Sequence, residues 1–327
     1  MAARRSESGE RDTVLVLGVT GGYGGTMAAE LLRAGYRLLA LVRDRARGEA
    51  VCAGLPGEVA LFEGDVLDRE ALARAADGVG VIVHGVNAPY PDWDPLILEH
   101  ARAVAEVAAR QGATVLFPGN VYGYAPARDV DEDAAPTPPT RKGELRVEVE
   151  AILAQACERG ARLIVLRGGD FFGAGHGASW MKMILGRAAT GGPIVLPGPK
   201  DVPHAWCYLP DFCATHRALL ERSAQLPAVS RFHFRGHTLT GAELLEAARE
   251  ALGDPRRASR TLPWWLFRLG APFSPMLRSL LEMRYLWQEE LTLSDARLRA
   301  TLGDALPQTD LPTGLRAELE RLRECAA

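Results

Sequence analysis

A short apolar segment that ends in regularly spaced glycines constrains the fold of this chain more than any other feature. Residues 14–17 are Val-Leu-Val-Leu, and Gly18, Gly21 and Gly24 follow, leading into a helix-forming stretch. Gly18 allows a tight turn, Gly21 lets a pyrophosphate approach the backbone, and Gly24 allows helix and strand to pack closely. The N-terminus of the helix offers unpaired N–H groups to phosphates. We therefore predict a dinucleotide-binding turn; the alternative is a glycine-rich turn that binds nothing.

The composition narrows the class of protein. The chain has 327 residues, is 47% hydrophobic and carries a net charge of −3, which gives no support for binding nucleic acid or a membrane surface. Its five cysteines are scattered without metal-ligand spacing, so we expect reduced thiols and no metal site. Residues 1–12 lack the apolar core of a signal peptide and are predicted to be disordered, and no apolar run is long enough to span a membrane. We expect a cytoplasmic protein.

Strand-like and helix-like segments alternate through the first half of the chain. The predicted strands are 14–17, 37–42, 59–62, 80–83, 114–117 and 162–166, and the predicted helices lie near 24–34, 69–76, 94–111 and 142–159. This alternation predicts an α/β fold: a doubly wound parallel Rossmann sheet with a smaller C-terminal substrate lobe. We assign residues 13–170 to the dinucleotide-binding domain. Residues 171–327 are assigned mostly to the lobe, with some segments returning to the Rossmann core.

One aromatic segment stands out in the second half. Residues 262–287 contain three tryptophans, two phenylalanines and a tyrosine, interrupted by arginine and proline. We expect this segment to form buried walls of the lobe; an oligomer interface or a wall of the substrate pocket is the alternative.

The residue after the second strand bears on the choice of cofactor. Arg43 lies 19 positions after Gly24, close to the spacing at which an acidic residue usually holds the adenine ribose of NAD. A guanidinium can instead pair with a 2′-phosphate, so we expect NADP, with NAD as second choice. Asp44 complicates this choice, because a rotated loop could turn it toward the ribose. After the third strand, Asp65, followed by Val66, is suited to the adenine amino group or, equally, to an Asx-type turn.

These residues resemble the short-chain dehydrogenase/reductase superfamily, in its extended, epimerase/dehydratase-like branch. The resemblance covers about residues 13–300 and includes Gly64-Asp65-Val66, Val121-Tyr122-Gly123, Arg167-Gly-Gly-Asp170 and Tyr208-Leu-Pro-Asp211. It implies hydride transfer at a carbonyl or alcohol carbon of a polar, sugar-like small molecule. It also implies pairing of two copies through helices of the Rossmann core, so a homodimer is an expectation.

The chain departs from that family at the catalytic positions. Members usually carry a Ser or Thr after the fifth strand and a Tyr-x-x-x-Lys on the next helix. Here Phe117-Pro-Gly-Asn120 stands in the first position, and no tyrosine has a lysine four residues later. Alignment on Glu150 puts Lys142 at the tyrosine position and Arg146 at the lysine position.

Three explanations stay open. Lys142 performs the acid–base chemistry, with Arg146, burial and a cationic nicotinamide favouring loss of its proton. Alternatively, the group comes from Tyr122, Tyr90 or Asp170, which follow strands at the carboxyl edge of the sheet. In the third explanation the chain is a regulator or redox sensor that binds the dinucleotide without catalysis.

The resulting site prediction has three groups. The catalytic candidates are Lys142, Arg146, Tyr122 and Asp170. The cofactor-binding candidates are Gly18, Thr20, Gly21, Gly22, Tyr23, Gly24, Arg43, Asp65, Val66 and Asn87. The substrate candidates are Tyr90, Trp93, Asn120, His176, Trp180 and His204.

Overall fold

The computed structural model describes residues 13–173 and 179–326. Twelve strands occur among these residues, namely β1 (Thr13–Leu17), β2 (Arg37–Val42), β3 (Val59–Glu63), β4 (Val81–His84), β5 (Thr114–Asn120), β6 (Arg162–Gly168), β7 (Asp170–Phe172), β8 (Ile194–Leu196), β9 (Pro203–Tyr208), β10 (Val229–Phe234), β11 (His237–Thr240) and β12 (Ser259–Thr261). The α-helices among them are α1 (Gly22–Arg33), α2 (Arg45–Cys52), α3 (Arg69–Ala75), α4 (Trp93–Gln111), α5 (Arg141–Ala156), α6 (Trp180–Ala189), α7 (Leu209–Glu221), α8 (Gly241–Leu252), α9 (Trp264–Gly270), α10 (Pro275–Glu282), α11 (Ala296–Leu302) and α12 (Leu311–Glu324).

Seven parallel strands form the central sheet in the order β10-β6-β5-β4-β1-β2-β3. The predicted α/β, doubly wound parallel sheet is therefore confirmed. The chain runs outward from β1 in both directions, to β2 and β3 on one side and to β4, β5 and β6 on the other. Ligands of such sheets bind in the crevice beyond the carboxyl ends of the strands where the order reverses, here between β1 and β4.

Burial explains why the inner strands are continuous apolar runs. All residues of β1 and β4 are buried, because helices cover both faces of the sheet. One strand, β10, comes from the second half of the chain and pairs with β6, which extends the sheet past residue 170. Helix α2 was not predicted, because its Arg-rich sequence has no apolar periodicity; the side chain of Asp44 caps it by accepting from the Arg47 N–H.

A smaller layer covers one end of the sheet. It contains the three-stranded sheet β11-β9-β7 and the parallel pair β12-β8, with α6, α8 and α12 packed around an apolar cluster that includes Trp180, Trp206 and Trp287. No helix in the described part of the chain combines the length and the apolar character required to cross a bilayer.

The aromatic segment 262–287 was predicted to form buried walls of the lobe, and only part of it is buried. Trp264 and Trp287 are buried, whereas Trp265, Leu266, Leu269, Phe273 and Met276 are exposed. The segment folds into the short helices α9 and α10, and each helix can turn only one face toward the protein.

Candidate active site

The glycine turn after β1 has the geometry that a phosphate cradle requires. Gly18 has φ +83°, and a Cβ there would lie 2.6 Å from the Gly85 carbonyl oxygen; a Cβ on Gly24 would lie 2.2 Å from the Gly18 carbonyl oxygen. The Gly21 N–H donates to the Gly18 carbonyl at 2.9 Å, which closes the turn. Gly21 precedes α1 and has no side chain to cap it, so N–H groups of the first helical turn are left for a ligand.

The residues beside this turn divide into two groups. Thr20 and Gly22 are partly exposed at the turn. The Tyr23 phenol instead points into the core, where its OH lies 2.9 Å from His216 Nδ1. Only the backbone of Tyr23 is therefore available to the predicted cofactor site, because α1 turns this side chain toward α7.

The carboxyl ends of β2 and β3 place a cation and a carboxylate near each other. The Arg43 side chain is 83% exposed, and its Nε lies 3.9 Å from Asp65 Oδ2. Asp44 is occupied as the cap of α2, so the charged groups left at this edge are the exposed Arg43 and its partner Asp65. Asp65 Oδ1 accepts from the Leu67 N–H at 2.8 Å, as in an Asx turn, while Val66 is buried beneath.

Two phenols meet beyond β4 and β5. The OH groups of Tyr90 and Tyr122 lie 2.8 Å apart. Burial, assisted by the nearby Asp170 carboxylate, raises the pKa of Tyr90 to about 12, and burial raises the pKa of Tyr122 well above its usual range. Both phenols are therefore neutral near pH 7 and can donate a hydrogen bond to a ligand oxygen.

The indole of Trp93 packs against these two phenols. It is buried, its Nε1 donates to the Ala88 carbonyl at 2.9 Å, and its ring packs against both Tyr90 and Tyr122. The indole therefore lies beside the phenol pair, and its contact with substrate stays a prediction.

Arg146 is a cation without a described counter-charge. Its Cζ lies 4.6 Å from the centre of the Trp93 ring and 5.7 Å from that of Phe117, and its buried Nε has no hydrogen-bond partner. Burial lowers the pKa of its guanidinium. None of the described ion pairs includes Arg146, so the group is suited to an anionic or hydroxyl-bearing ligand.

Lys142 is held by a residue that the sequence analysis did not select. Its Nζ lies 2.6 Å from Glu282 Oε2, and its backbone N–H donates to Glu282 Oε1 at 3.0 Å. The Lys142 side chain is only 8% exposed, and its ammonium lies 5.6 Å from the centre of the Tyr90 ring. The Glu282 carboxylate therefore occupies both the ammonium and the backbone N–H of Lys142 and fixes this side chain beside Tyr90.

Asp170 and His204 form a hydrogen-bonded pair. His204 Nε2 lies 2.8 Å from Asp170 Oδ2, and His204 Nδ1 lies 3.1 Å from the Leu286 carbonyl oxygen. A carbonyl oxygen only accepts, so the contact with Leu286 uses a hydrogen on Nδ1 and leaves Nε2 facing the carboxylate. The His204 ring stacks on Trp287 at 3.9 Å between centroids, which fixes its orientation.

These groups form one electrostatic cluster at the carboxyl edge of the sheet. The negative charge of Asp170 helps to raise the pKa of Tyr90, Tyr122 and also Tyr285. The charge of Glu282 helps to raise the pKa of Tyr90 and Tyr285. Sequence reasoning missed Glu282 and Tyr285. Their spacing of three within an aromatic segment was the available signal. The sequence of that segment gives no indication of which distant residues it will contact.

The remaining candidates take different positions. Asn87 is exposed in the loop after β4, and Asn120 Oδ1 accepts from the Tyr122 N–H at 3.1 Å, which positions Tyr122. Trp180 is buried against Trp264 and Trp287 in the lobe, and its assignment to substrate stays a prediction. His176 lies outside the described residues.

The residues present suit a dinucleotide. The glycine cradle, the uncapped start of α1 and the orphaned Arg146 Nε are the kinds of group that phosphates and ribose hydroxyls satisfy. Across the described ranges, no cluster of three or more His, Cys, Asp or Glu residues could hold a metal ion.

Comparison with solved structures shows the same fold. MoeE5, solved in complex with UDP-glucose and NAD, superposes with a TM-score of 0.74 at 19% identity, covering 96% of this chain and 100% of that chain. The UDP-glucuronic acid 4-epimerase from Bacillus cereus, in complex with NAD, superposes with a TM-score of 0.75 at 14% identity, covering 96% and 100%.

Sequence comparison adds one curated relative and a family. Cinnamoyl-CoA reductase 1 of Oryza sativa subsp. japonica is 30% identical over 128 residues, which span 37% of this chain and 38% of that protein. The model of the NAD dependent epimerase/dehydratase family matches residues 14–232, more than half of the chain. The chain therefore belongs to the NAD dependent epimerase/dehydratase family.

Proposed function

We propose that this enzyme prefers NADP and transfers hydride at a carbonyl or alcohol carbon of a polar, sugar-like small molecule, with the Asp170–His204 pair as its acid–base group. The observation that carries this proposal is the 2.8 Å contact between His204 Nε2 and Asp170 Oδ2 beside the phenols of Tyr90 and Tyr122. Tyr90, Tyr122 and Asp170 follow the carboxyl ends of β4, β5 and β6, and His204 reaches Asp170 from β9.

The proton chemistry follows from the pair. A bound nicotinamide supplies or accepts the hydride. As the substrate carbonyl is reduced, the proton between His204 Nε2 and Asp170 Oδ2 passes to the substrate oxygen; in the reverse direction the deprotonated pair takes the hydroxyl proton. The neutral phenols of Tyr90 and Tyr122 hold that oxygen by donating hydrogen bonds to it.

Two cations support the proposed reaction. Arg146, which has no described counter-charge, stabilises negative charge that develops on the substrate oxygen or on a bound phosphate. Lys142, fixed by Glu282 beside the Tyr90 ring, orients the phenol pair and offers its remaining N–H donors to ligand. In this arrangement Asp170 and His204 replace the missing tyrosine and lysine of the family.

The NADP preference rests on charge at the end of β2. Arg43 is exposed and the nearest carboxylate, Asp65, is 3.9 Å away, so the guanidinium is available to a 2′-phosphate. The sugar-like substrate is supported by MoeE5, solved in complex with UDP-glucose and NAD, and by the B. cereus enzyme, a UDP-glucuronic acid 4-epimerase. The curated reductase makes CoA thioesters a second class to include in a screen.

The experiment has two steps. Thermal unfolding is first followed during titration with NADP(H) and NAD(H), for the wild type, for Arg43→Glu, and for Arg37→Glu at the opposite end of β2 as control. We expect stabilisation by NADP(H) that Arg43→Glu weakens at least about tenfold in Kd and Arg37→Glu leaves unchanged. Equal responses to NAD(H) and NADP(H) in the wild type would contradict the NADP preference.

Sugar nucleotides, simple carbonyl compounds and CoA thioesters are then screened by the absorbance of the reduced nicotinamide. With the substrate found, Asp170→Asn is expected to lower kcat by about a hundredfold or more while leaving the Kd of the cofactor unchanged. Asp201→Asn, at an exposed carboxylate, is the matched control. Normal turnover of Asp170→Asn would remove the pair from the mechanism.

A further inference from the structure

The helical hairpin of α9 and α10 exposes a group of large apolar side chains at its end. These residues, named the apolar tip, are Trp265, Leu266, Leu269, Phe273 and Met276. Phe273 is 90% exposed, Leu269 69% and Trp265 65%, and they lie within twelve positions of one another. Scattered exposed apolar residues are normal, but a contiguous group that includes Trp and Phe marks an interaction surface.

The turn of the hairpin is fixed by packing and hydrogen bonds, with the apolar tip on its exposed side. A Cβ on Gly270 would lie 2.6 Å from Leu277 Cδ1, so the turn between the helices is tightly packed. Arg278 Nη1 donates to the carbonyls of Ala271 and Pro272 at 2.9 and 3.3 Å, which fastens the turn that carries Phe273. Trp264 and Phe267 pack into the lobe from the inner side of α9. The apolar tip is therefore carried by a packed, hydrogen-bonded turn.

The charge around the apolar tip differs in sign from that of the whole chain. The chain has a net charge of −3, whereas residues 256–284 contain six arginines, at 256, 257, 260, 268, 278 and 284, and one acidic residue, Glu282. Of these arginines, Arg257 pairs with Asp254, just outside that range, and Arg284 lies over the Trp264 ring. The Glu282 carboxylate is already paired with Lys142. Arg268 and Arg278 are exposed on the hairpin itself. The whole-chain charge, on which the expectation of no membrane contact depended, conceals this local excess of positive charge.

From these observations we infer that the apolar tip, with its surrounding arginines, docks this enzyme on the surface of an anionic lipid bilayer. Exposed Trp, Phe and Leu side chains enter the boundary between headgroups and acyl chains, and arginines pair with anionic headgroups. Phe273 and Leu269 protrude, as insertion into a bilayer requires. A two-fold contact of the tip with a second copy is disfavoured, because it would bring two arginine-rich segments together.

The test measures binding of the full chain to sedimenting vesicles, either of phosphatidylcholine alone or of an equimolar mixture with phosphatidylglycerol. We expect the chain to sediment with the anionic vesicles, to bind the neutral vesicles far more weakly, and to be released by high salt. Phe273→Glu should weaken the partition coefficient at least about tenfold, because it removes an inserting ring and adds a negative charge. Arg268→Glu should weaken it by about tenfold and reduce the dependence on salt.

Arg33→Glu, on α1 and outside the hairpin, makes the same charge change as a matched control and should bind vesicles as the wild type does. Circular dichroism and unchanged cofactor binding verify that each variant is folded. Absence of binding to anionic vesicles overturns the inference, as does binding that Phe273→Glu leaves intact. Dimerisation that Phe273→Glu abolishes, without vesicle binding, would likewise overturn it and assign the tip to a second copy.

Discussion

Glu282, in the last turn of α10, contacts both the side-chain ammonium and the backbone N–H of Lys142, in the first turn of α5. One carboxylate oxygen lies 2.6 Å from Lys142 Nζ, and the other accepts the Lys142 backbone N–H at 3.0 Å. The two residues are 140 positions apart. The contact therefore ties the aromatic segment of the second half to the helix that, by alignment with the family, carries the catalytic positions.

Replacement of Glu282 tests that relationship. Glu282→Gln leaves a buried ammonium without its counter-charge, and we expect it to lower the free energy of unfolding by about 1–3 kcal/mol. Urea unfolding measures this, with Glu289→Gln, an exposed neighbour, as control. Adding Lys142→Met to Glu282→Gln should recover part of the loss. If the single variant matched wild type within about 0.3 kcal/mol, the pair would make no net contribution.

The phenol pair offers a test of the proposed substrate contacts. Tyr90→Phe and Tyr122→Phe each remove one donor and leave the other phenol without its partner, so kcat should fall by about tenfold to a hundredfold at a cost of about 1 kcal/mol in stability. Tyr124→Phe is the control, because its buried phenol contacts Arg167 at 2.7 Å outside the cluster. A loss of stability without any loss of kcat would make the pair purely structural.

Packing of the glycine turn predicts that alanine substitutions at Gly24 and Gly54 differ strongly in their effect on stability. Gly24→Ala places a Cβ 2.2 Å from a carbonyl oxygen and should destabilise the fold by about 1–3 kcal/mol or more while abolishing cofactor binding. Gly54→Ala, whose Cβ would meet only an ordinary contact at 3.6 Å, should be neutral or slightly stabilising. Thermal unfolding of both variants with and without NADP(H) gives the answer, and equal behaviour would show that the turn can relax.

Three buried histidines make stability depend on pH. Burial lowers the pKa of His84 to about 3 and the pKa of His216 and His233 to about 4. In the unfolded chain these groups titrate near pH 6.5, so the unfolded state binds more protons as the pH falls below that value. Stability should be fully present above about pH 6.5 and lost toward pH 4.

At pH 5 the loss amounts to about 2 kcal/mol for each of these histidines. Urea unfolding at pH 7 and pH 5 measures it, and His216→Gln should reduce the difference between the two pH values by about 2 kcal/mol. A pH dependence identical to wild type would show that His216 titrates normally in the folded state.

The parts of the fold that depend on residues close together in the chain could be predicted from the sequence. The turn around Gly18, Gly21 and Gly24 follows from local backbone sterics, and β1, β2 and β4 follow from uninterrupted apolar runs. The family match confirms the epimerase/dehydratase resemblance that these motifs indicated. The burial of Trp93 and Trp180 could not be predicted, because a sequence does not reveal which side of a helix faces the interior.

Sequence by itself therefore determined the class of sheet, the phosphate turn and the absence of the family's usual tyrosine and lysine pair, because each depends on residues close together in the chain. Tertiary structure alone decided what stands in their place. Asp170 meets His204 across 34 positions and Lys142 meets Glu282 across 140, and neither contact has a local signature. Folding brings them together because parallel strands place their carboxyl ends at one edge, over which the second half of the chain then packs.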